Sequence, residues 1–245
     1  MQTNPGTEIE FTRCQHCAIR HHAVCGALNE EELKSLNRIS RQKLIKAGQM
    51  IVSEEDTTDF FANVVSGVVK LIKTLPDGRQ QIVGLLFAPD FLGRAYGKQH
   101  AYCAEAATDV ELCSFPHDRF ERVLKDHPGL EHRLFEFTLN ELDSAREWML
   151  LLGRKTAEEK VASFLLMLSK RSVMLGCGHK DKEKDITVQL PLTRSDMADF
   201  LGLTIETVSR QITRLKTRKV ISLVDNRTFF VPELQALINV AGQEF

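Results

Sequence analysis

Hydrophobic and polar positions change their period three times along the chain. From about Leu28 to Pro116 apolar residues fall in short runs rich in Val, Ile and Phe: "QMIV", "FFANVVSGVVKLIKT", "RQQIVGLLF" and "AEAATDVELCSF". Such runs predict strands. Between them stand the turn signals Ala47-Gly48, Pro76-Asp77-Gly78 and Ala88-Pro89-Asp90. Strands this short, separated this way, predict a small antiparallel barrel or roll. Just before them "NEEELKSLNRIS" has helical spacing at Leu33, Leu36 and Ile39, with Asn29 placed as N-cap.

The period then becomes that of a long helix. Pro128 lies at or before its start, and no further proline appears until Pro191. Phe135, Thr138, Leu142, Ala145, Met149 and Leu152 alternate steps of three and four over about three heptads. Charged residues (Glu136, Glu141, Asp143, Arg146 and Glu147) fill the intervals. The pattern predicts a helix paired along its length with a second copy; the alternative is a core helix packed on its own domain. The small Ala145 allows close approach of two chains. Gly153-Arg154-Lys155 ends the pattern, and a domain boundary is expected there. Thr156 caps the next helix in this reading, with Glu158 and Glu159 in its first turn and an apolar face of Ala157, Val161, Phe164, Leu165 and Leu168. Residues 176–185, "GCGHKDKEKD", read as a hydrophilic loop, and Cys177 within it carries no assigned role.

The third change is the most specific. In "LTRSDMADFLGLTIETVSRQITRLKTRKVI" Thr193 is an N-cap candidate with Asp196 three residues on, Gly202 supplies a turn, and Thr204 caps a second helix. Helix, short Gly-containing turn, helix is the DNA-binding helix-turn-helix pattern. Ile205, Val208, Ile212 and Leu215 are expected to be buried. Glu206, Ser209, Arg210 and Thr213 share the opposite face. "VISLVDNRTFFV" then reads as two short strands around Asp225-Asn226, a wing.

Charge sharpens this picture. The 245-residue chain has a formal net charge of -1, so a nucleic-acid surface must be a local patch. Ile205 to Lys219 holds five basic residues and one acid, a net of +4. Arg210 can take guanine O6 and N7, Glu206 can accept from cytosine N4, and Ser209 can bond several bases. Lys216, Arg218 and Lys219 suit phosphates. The alternative is that Glu206 and Arg210 form only a surface ion pair. Neither a signal peptide nor a membrane span is evident, so a cytoplasmic protein with reduced thiols is expected.

The remaining chemistry lies in "CQHCAIRHHAVC", residues 14–25. Cys14-x2-Cys17 lets two sulfurs of one turn face one centre, and Cys25 returns a third. In a reducing compartment clustered cysteines point to metal. A zinc site usually offers two such knuckles or a histidine pair, and only one knuckle is present. Three local thiols with one distant thiol suit iron–sulfur ligation at least as well. His16, His21 and His22 read as solvated loop residues, with ligation the alternative. A nucleophilic cysteine enzyme is not supported, because no base and orienting acid accompany the thiols.

Roll, long helix and C-terminal helix-turn-helix together resemble the Crp/Fnr superfamily of bacterial transcription regulators over nearly the whole chain. "VVSGVVKL" and "DFLG" resemble its effector-domain signatures, and "LTRSDMADFLGLTIETVSR" resembles its DNA-binding signature. The N-terminal cysteines are similar to those of its oxygen-sensing Fnr branch, in particular to alphaproteobacterial members with C-x2-C-x7-C spacing. The resemblance implies an α+β chain: a cluster-binding arm (1–27), a cyclic-nucleotide-binding-like β-roll sensor domain (28–118), a dimerisation helix (119–153) and a winged helix-turn-helix domain (154–245). It implies one [4Fe-4S] cluster per chain on Cys14, Cys17, Cys25 and a central cysteine. That cysteine stands in a strand shortly before a proline and the long helix; "VELCSFP" matches, which selects Cys113 over Cys103 and Cys177.

The resemblance further implies a homodimer on palindromic DNA with TTGAT-like half-sites, mainly activating anaerobic genes. Base contacts would come from Glu206, Ser209 and Arg210, and phosphate contacts from Thr193, Thr204, Thr207, Lys216 and Arg218. It implies contact with RNA polymerase, for which the Leu75 to Arg79 turn is a candidate surface. A regulator of the same fold that uses zinc, haem or no metal is the alternative. Cyclic-nucleotide binders of the superfamily carry a Gly-Glu pair and a distal Arg-Ser/Thr, which "FLGRAYGKQHAYCAEAAT" lacks, so no cyclic AMP response is expected.

Overall fold

A computed structural model describes residues 14–242 except 55, 58, 95, 98 and 175–183. The positions 1–13 of the expected arm and the reading of Cys177 therefore lie outside the described residues. The chain forms two compact units, Met1–Ser144 and Ala145–Phe245, divided inside the long helix.

In the first unit α1 (Glu30–Ile39) starts at Asn29, whose side chain accepts from Glu31 and Glu32 amides while Glu32 reaches back to the Asn29 N–H. This reciprocal cap satisfies donors that the first turn leaves open. Eight strands follow: β1 (Arg41–Ile45), β2 (Met50–Val52), β3 (Phe60–Ser66), β4 (Val68–Thr74), β5 (Gln80–Phe87), β6 (Phe91–Leu92), β7 (Cys103–Ala106) and β8 (Val110–Pro116). They make two four-stranded antiparallel sheets, ordered β1-β8-β3-β6 and β2-β7-β4-β5. Ala62, Val64, Val69, Leu71, Ala104 and Leu112 pack in one buried cluster, the core of the expected roll.

The long helix begins at Pro128, as its sequence indicates, and the wider range 119–153 given to the dimerisation helix also takes in most of a separate, shorter helix. α2 (His117–Asp126) stops at His127, which leaves the helical region at φ −130°, ψ 83°, and α3 (Pro128–Arg154) restarts at the proline. The ring of Pro128 disfavours helical geometry in the residue before it and tolerates the first helical position.

The second unit holds the end of α3, then α4 (Ala157–Met174), β9 (Lys184–Gln189), α5 (Arg194–Leu201), α6 (Ile205–Thr217), β10 (Ser222–Leu223), β11 (Thr228–Glu233) and α7 (Leu234–Ala241). Thr156 caps α4 with its hydroxyl on the Glu159 amide at 3.3 Å. The expected apolar face is wider than an amphipathic stripe, because Val161 to Leu166 are all buried. The two strands around Asp225 gain a third, giving the sheet β10-β11-β9. Of the expected hydrophilic loop, Lys184 and Asp185 belong to β9, and residues 176–183 lie outside the described residues. Trp148 stacks on Phe200 at 4.0 Å, and Lys155 donates to Ser163 Oγ and to the Ala241 carbonyl.

Candidate functional site

Strand alternation sets one side of the first site. Successive side chains of a strand point to opposite faces. Leu112 and Val64 enter the roll core, so Cys113 and Phe115, with Phe61 and Asn63, face the other way. There they meet Leu33 and Leu36 of α1 and Phe120 of α2. Asn63 lies directly across from Cys113 in the β3–β8 register.

The arm closes the other side. Consecutive turns fold it, with Arg20 N–H donating to Cys17 O at 3.1 Å and Ala23 N–H to Ile19 O at 2.8 Å. Ile19, Ala23 and Val24, three of the four apolar residues between the thiols, are buried and anchor it, while Ala18 is exposed. Gly26 is required by close approach: a Cβ there would stand 2.9 Å from both the Arg20 and His21 carbonyl oxygens. As a result Cys14, Cys17, Cys25 and Cys113 all line one recess, with Asn63 beside them. None of the five described cysteines forms a disulfide. Cys103 belongs to the other sheet, where its sulfur accepts from the Glu54 N–H at 3.3 Å. His16, His21 and His22 are exposed.

The recess is electrically unusual. Burial, then the neighbouring Cys17 and Cys14, push the Cys25 thiol up to about 12, with Arg20 working weakly the other way. A thiolate there needs a positive partner. Cys14 Sγ donates to Asn37 Oδ1 at 2.8 Å. Asn63 is 1% exposed, and its Oδ1 is buried without a hydrogen-bond partner. Leaving a buried acceptor unsatisfied costs about 1–3 kcal/mol. Among the described residues no three His, Cys, Asp or Glu side chains are already gathered as a metal cage. The donor set nevertheless fits a group held by four thiolates: four soft ligands share one apolar recess, beside a polar side chain with unused bonding capacity. Zinc and iron–sulfur clusters both take such a set.

On α3 the expected seam is open to solvent in the single chain. Phe135 is 59%, Leu142 44% and Met149 70% exposed, and Thr138 and Ala145 are exposed too. Leu139 and Leu150 widen the apolar strip. Leu152 differs: it is half-buried, 3.9 Å from where a Cβ on Gly202 would stand.

The helix-turn-helix is built by its caps. Thr193 and Asp196 form a reciprocal box at the start of α5. Gly202 ends α5 at φ 62°, ψ 45°, a left-handed turn that suits glycine. Thr204 Oγ1 accepts from the Thr207 N–H at 3.2 Å and opens α6. Glu206, Ser209, Arg210 and Thr213 lie exposed on one face, as expected. The Glu206 carboxylate is held below its ordinary range by its own N–H first and then by Thr204.

The buried stripe needs one correction: it is Val208, Gln211, Ile212 and Leu215, while Ile205 is 46% exposed. At about 100° per residue, Ile205 falls just outside the buried arc and Gln211 falls within it. Among the expected phosphate residues, Lys216 is exposed, whereas Thr193, Thr204 and Thr207 bond within the caps. Arg218 reaches Glu158 Oε1 at 2.7 Å.

Two family models match the chain: a cyclic nucleotide-binding domain over residues 42–127 and a Crp-like helix-turn-helix domain over residues 159–240. A probable transcriptional activator of Rhizobium leguminosarum bv. viciae is 47% identical over 232 residues, 95% of this chain and 93% of that protein. The transcriptional activator protein FnrL of Cereibacter sphaeroides is 45% identical over 232 residues, with the same coverage. Among solved structures, FixK2 from Bradyrhizobium japonicum superposes with a TM-score of 0.75 at 30% identity, covering 84% of this chain and 100% of that one.

Proposed function

The chain belongs to the Crp/Fnr family of transcription regulators, and from that premise we propose that it is an oxygen-responsive activator acting as a homodimer on palindromic promoter DNA. The observation that carries the sensor half is the recess itself, which three arm thiols and Cys113 line together although 87 residues lie between Cys25 and Cys113. These four residues would hold a [4Fe-4S] cluster, one per chain. Through these residues such a group would join the arm to β8 and would supply sensitivity to oxygen.

The chain's own residues supply the response. When the thiols are unligated, the buried Ile19, Ala23 and Val24 and the Cys14–Asn37 hydrogen bond hold the arm. Phe135, Thr138, Leu142, Ala145 and Met149, with Leu152 at its end, form the seam that joins two copies. Paired seams set two α6 helices about one DNA turn apart, roughly 34 Å. Arm docking biases the equilibrium between paired and separate chains, a shift of populations. On each half-site Arg210 reads guanine, with Glu206 and Ser209 on neighbouring bases. Lys216, Arg218 and the first turns at Thr193, Thr204 and Thr207 hold phosphates. RNA polymerase contacts the activator; the β4–β5 turn, where Asp77 and Arg79 pair at 2.8 Å beside the exposed Leu75, is a candidate surface.

No cyclic AMP response belongs to this reading. The stretch that lacks the phosphate-binding residues contains Tyr96, whose N–H donates to Glu121 and whose hydroxyl donates to Glu131. Saturable nucleotide binding at cellular concentrations would overturn that part. The reading also places the protein in the cytoplasm; no helix of the described residues is long and apolar enough to cross a membrane.

The experiment is anaerobic purification, assay of iron, sulfide and zinc, and measurement of visible absorption and dimer fraction as air enters. About four irons and four sulfides per chain, bleaching with loss of dimer, are expected. Zinc alone, or air-stable DNA binding without metal, would leave the family membership and remove the oxygen sensor.

A further inference from the structure

Two asparagine amides stand at the thiol recess, and their situations differ. Asn37 Oδ1 already receives the Cys14 thiol proton at 2.8 Å. Asn63 is more deeply buried, lines the recess, and has a buried Oδ1 with no partner. It sits in "FFANVV", between apolar residues, on a strand where valine or isoleucine would fill the slot without losing hydration. Since no donor holds Oδ1, nothing fixes the amide in its present orientation, and it can turn to present Nδ2 instead.

A donor turned toward the recess has an evident recipient. Asn63 and Cys113 are directly opposed across two antiparallel strands, so their Cβ atoms stand roughly 4.5–5.5 Å apart on one face. Ligation converts the Cys113 thiol, a weak donor, into a thiolate that accepts hydrogen bonds. A half-turn about χ2 exchanges Oδ1 for Nδ2, so the same side chain can present two N–H donors.

Resting on the cluster reading above, we propose that Asn63 is a positioning residue whose amide donates to sulfur at Cys113 or of the bound cluster and prolongs the cluster's life in air. Hydrogen bonds to cluster sulfurs favour the more negative, reduced state. Their loss makes the cluster easier to oxidise.

The test compares N63V and N63T with the parent protein. Valine and threonine share a shape, and only threonine keeps a donor. Each protein is loaded anaerobically with iron and sulfide, and its absorption is followed after air is admitted. Metal-free forms are melted in parallel. N63V is expected to take up the parental iron and sulfide, to bleach about tenfold faster, and in its metal-free form to melt no lower than the parent. N63T is expected to bleach at a rate closer to the parent. Opposite signs for apoprotein stability and cluster lifetime separate this role from a merely structural one. Equal bleaching of N63V and the parent, or of N63V and N63T, overturns the proposal and leaves the cluster reading standing. A parent protein that takes up no iron and sulfide overturns both.

Discussion

The thiol recess and the helix-turn-helix are finished to different degrees. In the second unit Thr193, Asp196 and Thr204 satisfy the helix starts of the recognition region and Gly202 makes the turn, and one polar atom, Gln211 Oε1, is buried without a partner in α6. In the first unit the recess holds a thiol pushed up to about 12 and an asparagine oxygen without a partner. A region that only has to be presented to DNA needs no added group to complete its helix caps. One that receives a group must keep bonding capacity in reserve, and reserve appears as local frustration. The difference predicts that changes in the recess are felt through ligation, and changes in the reader through DNA affinity or melting.

The largest expected effect tests the recess. Cys113→Ser should abolish uptake of the four-iron complement, whereas Cys103→Ser should retain it, since Cys103 lies in the other sheet. Iron and sulfide assays on anaerobically prepared variants measure this. Full uptake by Cys113→Ser would detach β8 from the site.

Next comes the seam. Leu142 is 44% exposed in the single chain. If α3 pairs with a second copy, Leu142→Ala removes a buried side chain and weakens the dimer by about 2–5 kcal/mol. If the face stays solvated, the change stays within about 0.5 kcal/mol. Sedimentation of the loaded proteins decides between these values.

In the reader, Arg210→Ala should cost about 1–3 kcal/mol of DNA affinity and relax guanine preference at one position of each half-site. Lys216→Ala should weaken all sequences alike and reduce the salt dependence by about one ion per chain. Titrations at several salt concentrations on matched and mismatched sites separate the two. Unchanged base preference in Arg210→Ala would return Glu206 and Arg210 to a surface pair.

Most of the reader was legible because its determinants are local. Caps lie three residues from the amides they serve, and the buried stripe repeats within one helix. Even so, the stripe was displaced by part of a turn: Ile205 is exposed and Gln211 buried, since hydrophobicity alone does not mark the edge of a buried arc. The recess was legible only in part. Spacing marked Cys14, Cys17 and Cys25, but the choice of Cys113 came from family resemblance, because strand pairing between distant segments leaves no periodic trace. The arm's anchors Ile19, Ala23 and Val24, and the close approach at Gly26, passed unnoticed between the cysteines. Asn63 left one signal, a lone amide within an apolar run. β9 was missed because its "KDITVQ" follows directly on a run of charged residues in the sequence.

The smallest expected effect puts one change of the same kind in each unit. Asn29 and Thr193 are both N-caps with reciprocal boxes. Each, changed to alanine, should cost about 1 kcal/mol of stability in its own unit. Their consequences should diverge. α1 supplies Leu33 and Leu36 to the recess wall, so Asn29→Ala should also slow iron and sulfide uptake. Thr193 starts α5, far along the chain from any recess residue, so Thr193→Ala should leave uptake unchanged while lowering the melting temperature and DNA affinity. Melting, uptake and DNA titration on both variants complete the comparison. Equal slowing of uptake by the two changes would mean that the recess depends on the fold as a whole, and that its unfinished bonding is no local property.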